Sequence, residues 1–357
     1  MSSARRVILF SHNSNLSGAP ISISQLARKL PDHGYSPLLV LPRSGPLETL
    51  LQSWNLEYRI LTHPNAIGDF IRITKRERPV LIHVNSLVKT WKQVLVSRMM
   101  GIPVIWHVRE HLKDNRLNAR IVHALADQVI ILSRDQLDLF RGMRKLTVVP
   151  NGVDVTLFRD VKPSHVLTGI TGRKTVITYV GAIEKRKGLL VLAQAAVLMK
   201  DRPWLHYLVV GDVLKGGEPY KEEVIDLLKR EGVYTNFHFL GYRSDVPEIL
   251  AESDVLCHPA FIEVFPRVIL EAMASRLPVI STYAGAIPEM VEDKKTALLV
   301  KAGDARTLSE AIGAIDSNMH LRKRMGEAGF QRVKEKFSLE LHTKKVCELY
   351  ERLIGDW

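Results

Sequence analysis

The sequence predicts two doubly wound α/β domains, each a parallel sheet covered by helices. Three observations lead there. Short apolar runs alternate with helical periods along the whole chain. The alternation pauses once, over the polar, Pro- and Gly-containing "DVKPSHVLTGITGRK" (160–174), which reads as a linker. At 357 residues, with 46% hydrophobic and 25% charged side chains, the chain is long enough for two cores of ordinary size. The domains expected are 1–160 and 174–335, with 336–357 as a C-terminal helix packing back toward the first.

In the first half, the runs "RVILFSH" (6–12), "SPLLVLP" (36–42), "PVLIHVN" (79–85), "PVIWHV" (103–108), "QVIILS" (128–133) and "LTVVPNG" (146–152) read as buried parallel strands. Between them lie helical stretches such as "SISQLARKL" and "LVKTWKQVLVSRMMG", the latter stopped by Gly101 before Pro103. Trp91 and Trp106 sit in apolar settings and read as core. In the second half the strands are "TVITYVG" (175–181), "LHYLVVGD" (205–212), "YTNFHFLG" (234–241), "SDVLCHPA" (253–260), "LPVIST" (277–282) and "ALLV" (297–300). The C-terminal helical run breaks near Phe337–Ser338. In such sheets ligands sit beyond the carboxyl ends of the strands, and two such edges are expected to face a central cleft.

Charge and cysteine usage bound the setting. Residues 1–150 hold 21 lysines and arginines against 10 acidic residues, whereas 151–357 hold 29 against 28. Nearly all of the net +12 is therefore in the first half. A solvated basic face is one reading; an anionic partner such as a bilayer surface, a phosphorylated lipid or an acidic glycan is the other. "RITKRERP" (72–79) is the densest cluster. A nucleic-acid binder is disfavoured, because the basic residues are scattered and no recognition helix or aromatic platform emerges. The two cysteines, Cys257 and Cys347, lie far apart, which points to a reducing cytosolic compartment. No stretch of about 18 apolar residues suggests a membrane span, so the expected location is cytoplasmic, possible membrane contact being peripheral on the cytosolic face.

"FIEVFPRVILEAMASRLPVI" (261–280) carries the chemistry. Proline suits the first helical position, so a helix begins about Pro266, with Glu263 in the loop ahead and Glu271 about a turn and a half in. Glu271 is past the reach of the helix-end dipole and, between Leu270 and Ala272, needs a hydrogen-bonding partner. A ligand diol would serve, and the helix N-terminus is an anion site. A nucleotide-sugar has hydroxyls at both ends and negative charge between them. The plainer alternative is that Glu263 caps the helix and Glu271 is solvated.

"IEVFPRVILEAMASRLPVISTYAGAIPEMV" resembles the signature of the retaining family 4 glycosyltransferases of GT-B fold. Four more stretches resemble family segments in the same order: "SHNSNLSGAP" (11–20), "VIWHVRE" (104–110), "VVPNGVD" (148–154) and "YVGAIEKRKG" (179–188). The resemblance implies that Glu271 holds the ribose hydroxyls. It implies that Glu263 holds donor-sugar hydroxyls, helped by backbone N–H groups of the loop from Glu263 to Val268 through Phe265, Arg267 and Val268, with Pro266 lining the donor site but removing one N–H. Lys187, with Gly181 and Arg186, would meet the diphosphate; His107 would contact the sugar near the reacting carbon; Gly18 would let the first loop approach the phosphates or acceptor. His12, Asn13, Arg109, Glu110 and His111 would line the acceptor side, and His83 reads as structural. The family's pattern is broken at four places: Ala182 stands for a basic residue, and Pro266, Arg276 and Ala286 stand for glycines.

The activity so implied is transfer of a hexosyl or N-acetylhexosaminyl group from a nucleotide-sugar to a glycan or lipid-linked acceptor, with retention, in polysaccharide or glycoconjugate biosynthesis. No Asp-x-Asp with a setting for a metal clamp is present, so no metal and no cofactor are expected. A nucleotide-sugar epimerase on the same fold is the alternative. A dehydrogenase is disfavoured, since no Gly-x-Gly-x-x-Gly follows the first strand.

Overall fold

A computed structural model describes residues 4–63, 66–85, 90–110, 116–169, 172, 174–214 and 216–355. His111 lies outside them. The chain divides into two compact units, Met1–Gly152 with Leu339–Trp357, and Val153–Ser338.

The first unit is built on β1 (Arg5–Ser11), β2 (Tyr35–Leu41), β3 (Tyr58–Ile60), β4 (Leu81–Asn85), β5 (Val104–Val108), β6 (Gln128–Ile131) and β7 (Leu146–Val148). They form one parallel sheet in the order β3-β2-β1-β4-β5-β6-β7. β3 is three residues long and none of them is buried, and Arg59 at its centre leaves no apolar run to announce it. Its helices are α1 (Gly18–Lys29), α2 (Leu47–Ser53), α3 (Ile67–Glu77), α4 (Trp91–Met99), α5 (Arg116–Leu125) and, after the second unit, the C-terminal helix Leu339–Gly355. Leu26, Leu51, Val346 and Tyr350 pack on one face of the sheet, and Phe70, Val94 and Val122 on the other. Both faces are thereby covered, as unbroken apolar strands require. Trp106 is fully buried, as read; Trp91, also read as core, is 40% exposed, because α4 turns Val94 rather than Trp91 toward the sheet.

The second unit holds β8 (Thr175–Val180), β9 (Leu205–Val210), β10 (Phe237–Gly241), β11 (Val255–His258), β12 (Val279–Thr282) and β13 (Ala297–Val300), parallel and in the order β10-β9-β8-β11-β12-β13. Its helices are α6 (Leu189–Val197), α7 (Glu218–Arg230), α8 (Val246–Glu252), α9 (Arg267–Ala274), α10 (Ile287–Met290), α11 (Ala305–Ser317) and α12 (Met319–Lys336); the C-terminal helix is α13. The strand order reverses between β8 and β11, the position where open α/β sheets take ligands.

The stretch 160–174 is not a free linker. Leu167 is buried with Val176, Leu208, Val210 and Ile249, and the Glu252 carboxylate accepts hydrogen bonds from the Ser164 hydroxyl and the Val166 and Leu167 backbone N–H groups at 2.8, 2.9 and 3.1 Å. Its polar composition hid one apolar anchor and one external acceptor.

Candidate functional site

Two strand ends of the second unit are locked together by backbone. After β8, a short 3₁₀ turn over Lys185–Lys187 ends at Gly188, whose φ of +76° is left-handed. A Cβ there would meet the Pro259 carbonyl oxygen at 2.0 Å. Only glycine lets this turn sit against the end of β11. Phe261 N–H donates to the Arg186 carbonyl at 2.8 Å and fixes the register. On the other side, Gly285 (φ +51°), in the turn after β12, lies where a Cβ would meet the Glu263 carbonyl oxygen at 1.9 Å.

These clamps bring three side chains together. Oε1 of Glu263 receives the Lys187 ammonium in an ion pair and lies 2.8 Å from Nε2 of His258 at the end of β11. Glu263 is only 7% exposed. Burial alone would push its pKa up, but the hydrogen bond and charge of His258 and the charge of Lys187 outweigh that and hold the carboxyl down to about 2. His258 itself is buried, and its Nδ1 has no partner among the described residues. The sequence reading missed His258. The signal available was its place as the last residue of an apolar strand run, five residues before Glu263.

Glu271 sits on α9 in the second turn, and its partner is Arg267 of the same helix, with Nη2 donating to Oε1 at 3.1 Å. α9 begins at Arg267, so Pro266 occupies the flanking cap position rather than the first turn. The helix has no side-chain cap and no acidic residue in its first turn, so no carboxylate of that turn offsets the positive end of its dipole. Phe265 and Val268 are buried beside it. Gly181 directly follows β8, and its carbonyl oxygen lies 2.0 Å from where a Cβ on Gly211 would sit. Arg186 pairs with Glu184 at 2.6 Å.

The four departures from the glycosyltransferase pattern take distinct forms. Arg276 holds a left-handed φ of +57°, a strained conformation for a non-glycine residue. Its guanidinium lies 3.7 Å from the Phe330 ring centre, and its Nε donates to Glu327 at 3.0 Å. Ala286 is fully buried, and the Ala182 carbonyl accepts the Tyr179 hydroxyl at 2.8 Å. Pro266 leaves the helix uncapped.

In the first unit, His12 and Asn13 lie in the loop after β1. Nε2 of His12 is 3.0 Å from a Glu110 carboxylate oxygen and 2.6 Å from Nδ2 of Asn13. Gly18 opens α1. His107 lies on β5 with no exposed surface. Its Nδ1 is 3.1 Å from Nη2 of Arg109 and 3.3 Å from Nε2 of His83, whose Nδ1 is 2.7 Å from the Tyr350 hydroxyl. Burial first, and then the Arg109 charge, hold both histidines well below their ordinary pKa. Neutral rings and an arginine that can only donate fix the tautomers: Tyr350 donates to His83, His83 and Arg109 donate to His107 Nδ1, and His107 keeps its proton on Nε2. That Nε2–H has no partner among the described residues. Arg109 also donates to the Asn151 side-chain oxygen.

Comparison with known proteins assigns both halves. The profile of "Glycosyltransferase Family 4" matches residues 16–157, and that of "Glycosyl transferases group 1" matches 163–332. A D-inositol 3-phosphate glycosyltransferase of Corynebacterium jeikeium is 32% identical over 243 residues, 63% of this chain and 57% of that protein. The chain covers 48% of the equivalent protein of Corynebacterium kroppenstedtii, so it spans about half the length of these curated relatives. A UDP-Gal:α-D-GlcNAc-diphosphoundecaprenol α-1,3-galactosyltransferase of Escherichia coli is 22% identical over 369 residues, 94% of each chain. The crystal structure of Anabaena HepE in complex with UDP superposes with a TM-score of 0.85 at 22% identity, covering 98% of this chain and 100% of the other. The sheet topologies and this likeness make the fold GT-B. The chain belongs to the group 1, or family 4, glycosyltransferases.

Proposed function

We propose that the chain transfers a hexosyl or N-acetylhexosaminyl group from a nucleotide-sugar to a glycan or lipid-linked acceptor, with retention and without a metal. The observation that carries this is the Lys187–Glu263–His258 cluster, set between two glycine clamps just before the uncapped end of α9. When the C1–O bond to the diphosphate breaks, negative charge grows on the leaving oxygens. Lys187 and the α9 dipole supply positive charge there without reorganisation. Glu263, kept ionised, accepts hydrogen bonds from sugar hydroxyls, and Glu271 accepts the ribose diol in place of Arg267. The acceptor oxygen bonds to C1 on the face the diphosphate leaves, and its proton passes to the departing phosphate oxygen.

Relatives support the substrate class in their printed names: HepE has been crystallised with UDP-glucose, and the Escherichia coli relative acts on a diphosphoundecaprenol-linked sugar. Among the described residues no helix is long and apolar enough to cross a membrane, and the reading places the protein in the cytosol, peripheral at the membrane face. Both cysteines are buried and unpaired, which suits a reducing compartment.

The test is a thermal-shift and hydrolysis screen over UDP-, GDP- and ADP-sugars with the intact chain, repeated with chelator. One nucleotide-sugar should raise the unfolding temperature and release nucleoside diphosphate, with no loss in chelator. Isomerised donor with no transfer to any acceptor would favour the epimerase reading, and no response to any donor would sink both.

A further inference from the structure

α4 is built inside out. Its inward positions carry Gln93, Val94 and Ser97, all buried. Its outward positions carry Trp91, Leu95 and Met99, spaced every fourth residue so that they share one face, and they are 40%, 38% and 80% exposed. A water-facing helix normally shows the reverse. On α5, the neighbouring helix of the same sheet face, Leu117 is 65% exposed between exposed Arg116 and Arg120. On the other side, α3 exposes Arg72, Lys75 and Arg76.

Charge decides what such a face can meet. The three helices carry seven lysines and arginines and only two carboxylates, Asp69 and Glu77. Both carboxylates are engaged, Asp69 by Arg72 and Glu77 by Arg6 and Arg59. The face is therefore an apolar stripe with a net basic border, in which Arg72 is paired with Asp69 and Arg98 with Asp127. A second copy of the chain would set like charges against like. A nucleic acid would leave the stripe unused.

We propose that the α3–α4–α5 face of the first unit docks on an anionic phospholipid bilayer, with Trp91, Leu95, Met99 and Leu117 in the interface and the basic border against lipid phosphates. Tryptophan suits that depth, since its ring is apolar and its N–H polar. The proposal gives the membrane clause of the functional reading a surface. Its test needs no sugar donor, so its failure would leave sugar transfer untouched, and failure of sugar transfer would leave it standing.

The experiment is flotation of the intact chain with vesicles of phosphatidylcholine alone and of equimolar phosphatidylcholine and phosphatidylglycerol. Binding should favour the mixed vesicles and weaken with salt. The L95S/M99S and K75E/R76E variants, all at exposed positions, should keep the parent's unfolding temperature and each lose about tenfold in partition. Tryptophan emission should shift to the blue on the mixed vesicles in the parent and lose that component in Trp91→Phe. Equal binding to both vesicle types, or unchanged partition of both double variants, would overturn the proposal. So would a dimer in sedimentation that the L95S/M99S variant dissolves without any change in vesicle binding.

Discussion

Nε2 of His258 lies 2.8 Å from Oε1 of Glu263, the same carboxylate oxygen that pairs with Lys187. One oxygen thus answers to two strand ends, β11 through the histidine and β8 through the lysine. In the proposed function His258 is a positioning residue that holds the carboxylate through Oε1. His258→Phe keeps an aromatic ring, a somewhat larger one, and removes the hydrogen bond. We expect kcat/KM for the preferred donor to fall about tenfold, with His258→Gln recovering much of the loss. Unchanged kinetics in both variants would remove His258 from the site.

Replacing Lys187 with alanine separates charge from geometry. In the proposed function the lysine's charge meets the leaving group, so transfer should fall by about 10²–10³-fold. Lys187→Arg should retain more, because it keeps the positive charge. An alanine variant with full activity would contradict the charge-neutralising role.

Acid should test the Glu263 pair directly. The carboxyl's folded pKa is about 2, depressed from its ordinary 4.5. The unfolded chain therefore binds a proton first on acidification, and stability falls as pH drops between those two values. Above about pH 5 the contribution is complete. Glu263→Gln should be less stable at neutral pH and should show a flatter acid limb in urea unfolding from pH 5 to 2. An acid limb as steep as the parent's would assign the sensitivity elsewhere.

Arg276 sets backbone strain against two side-chain contacts. The left-handed φ costs about 1–2 kcal/mol, while the stack on Phe330 and the exposed pair with Glu327 each return up to about 1 kcal/mol. Arg276→Gly should therefore change stability by less than about 1 kcal/mol. Arg276→Ala keeps the strain, loses both contacts and should cost about 1–2 kcal/mol. Equal losses in the two variants would show that the backbone carries no strain.

Gly188 and Gly285 hold the clamps around Glu263. Alanine at either would drive a Cβ to 2.0 Å of Pro259 or 1.9 Å of Glu263 backbone oxygen. Each should destabilise by about 3 kcal/mol or more and depress activity further than stability alone explains. A folded, fully active Gly285→Ala would disprove the clamp.

The sequence by itself determined the two strand–helix series, because apolar runs buried on both faces and helical periods are local patterns. Every strand but β3 was legible, and β3 was not because Tyr58–Ile60 is short, nowhere buried and interrupted by Arg59. The Glu263, Glu271 and Lys187 motifs were legible too, since each stands beside its own strand or helix signal. Tertiary structure alone decided which groups share a contact. His258 joins Glu263 only because Gly188 and Gly285 let three strand-end loops close on one another. Leu167 is buried only because the β8–β9 face reaches it. Trp91 faces outward and Trp106 inward, although both read as core in the sequence. Periodicity says that a helix has an apolar side; only the packed neighbours choose which side they cover.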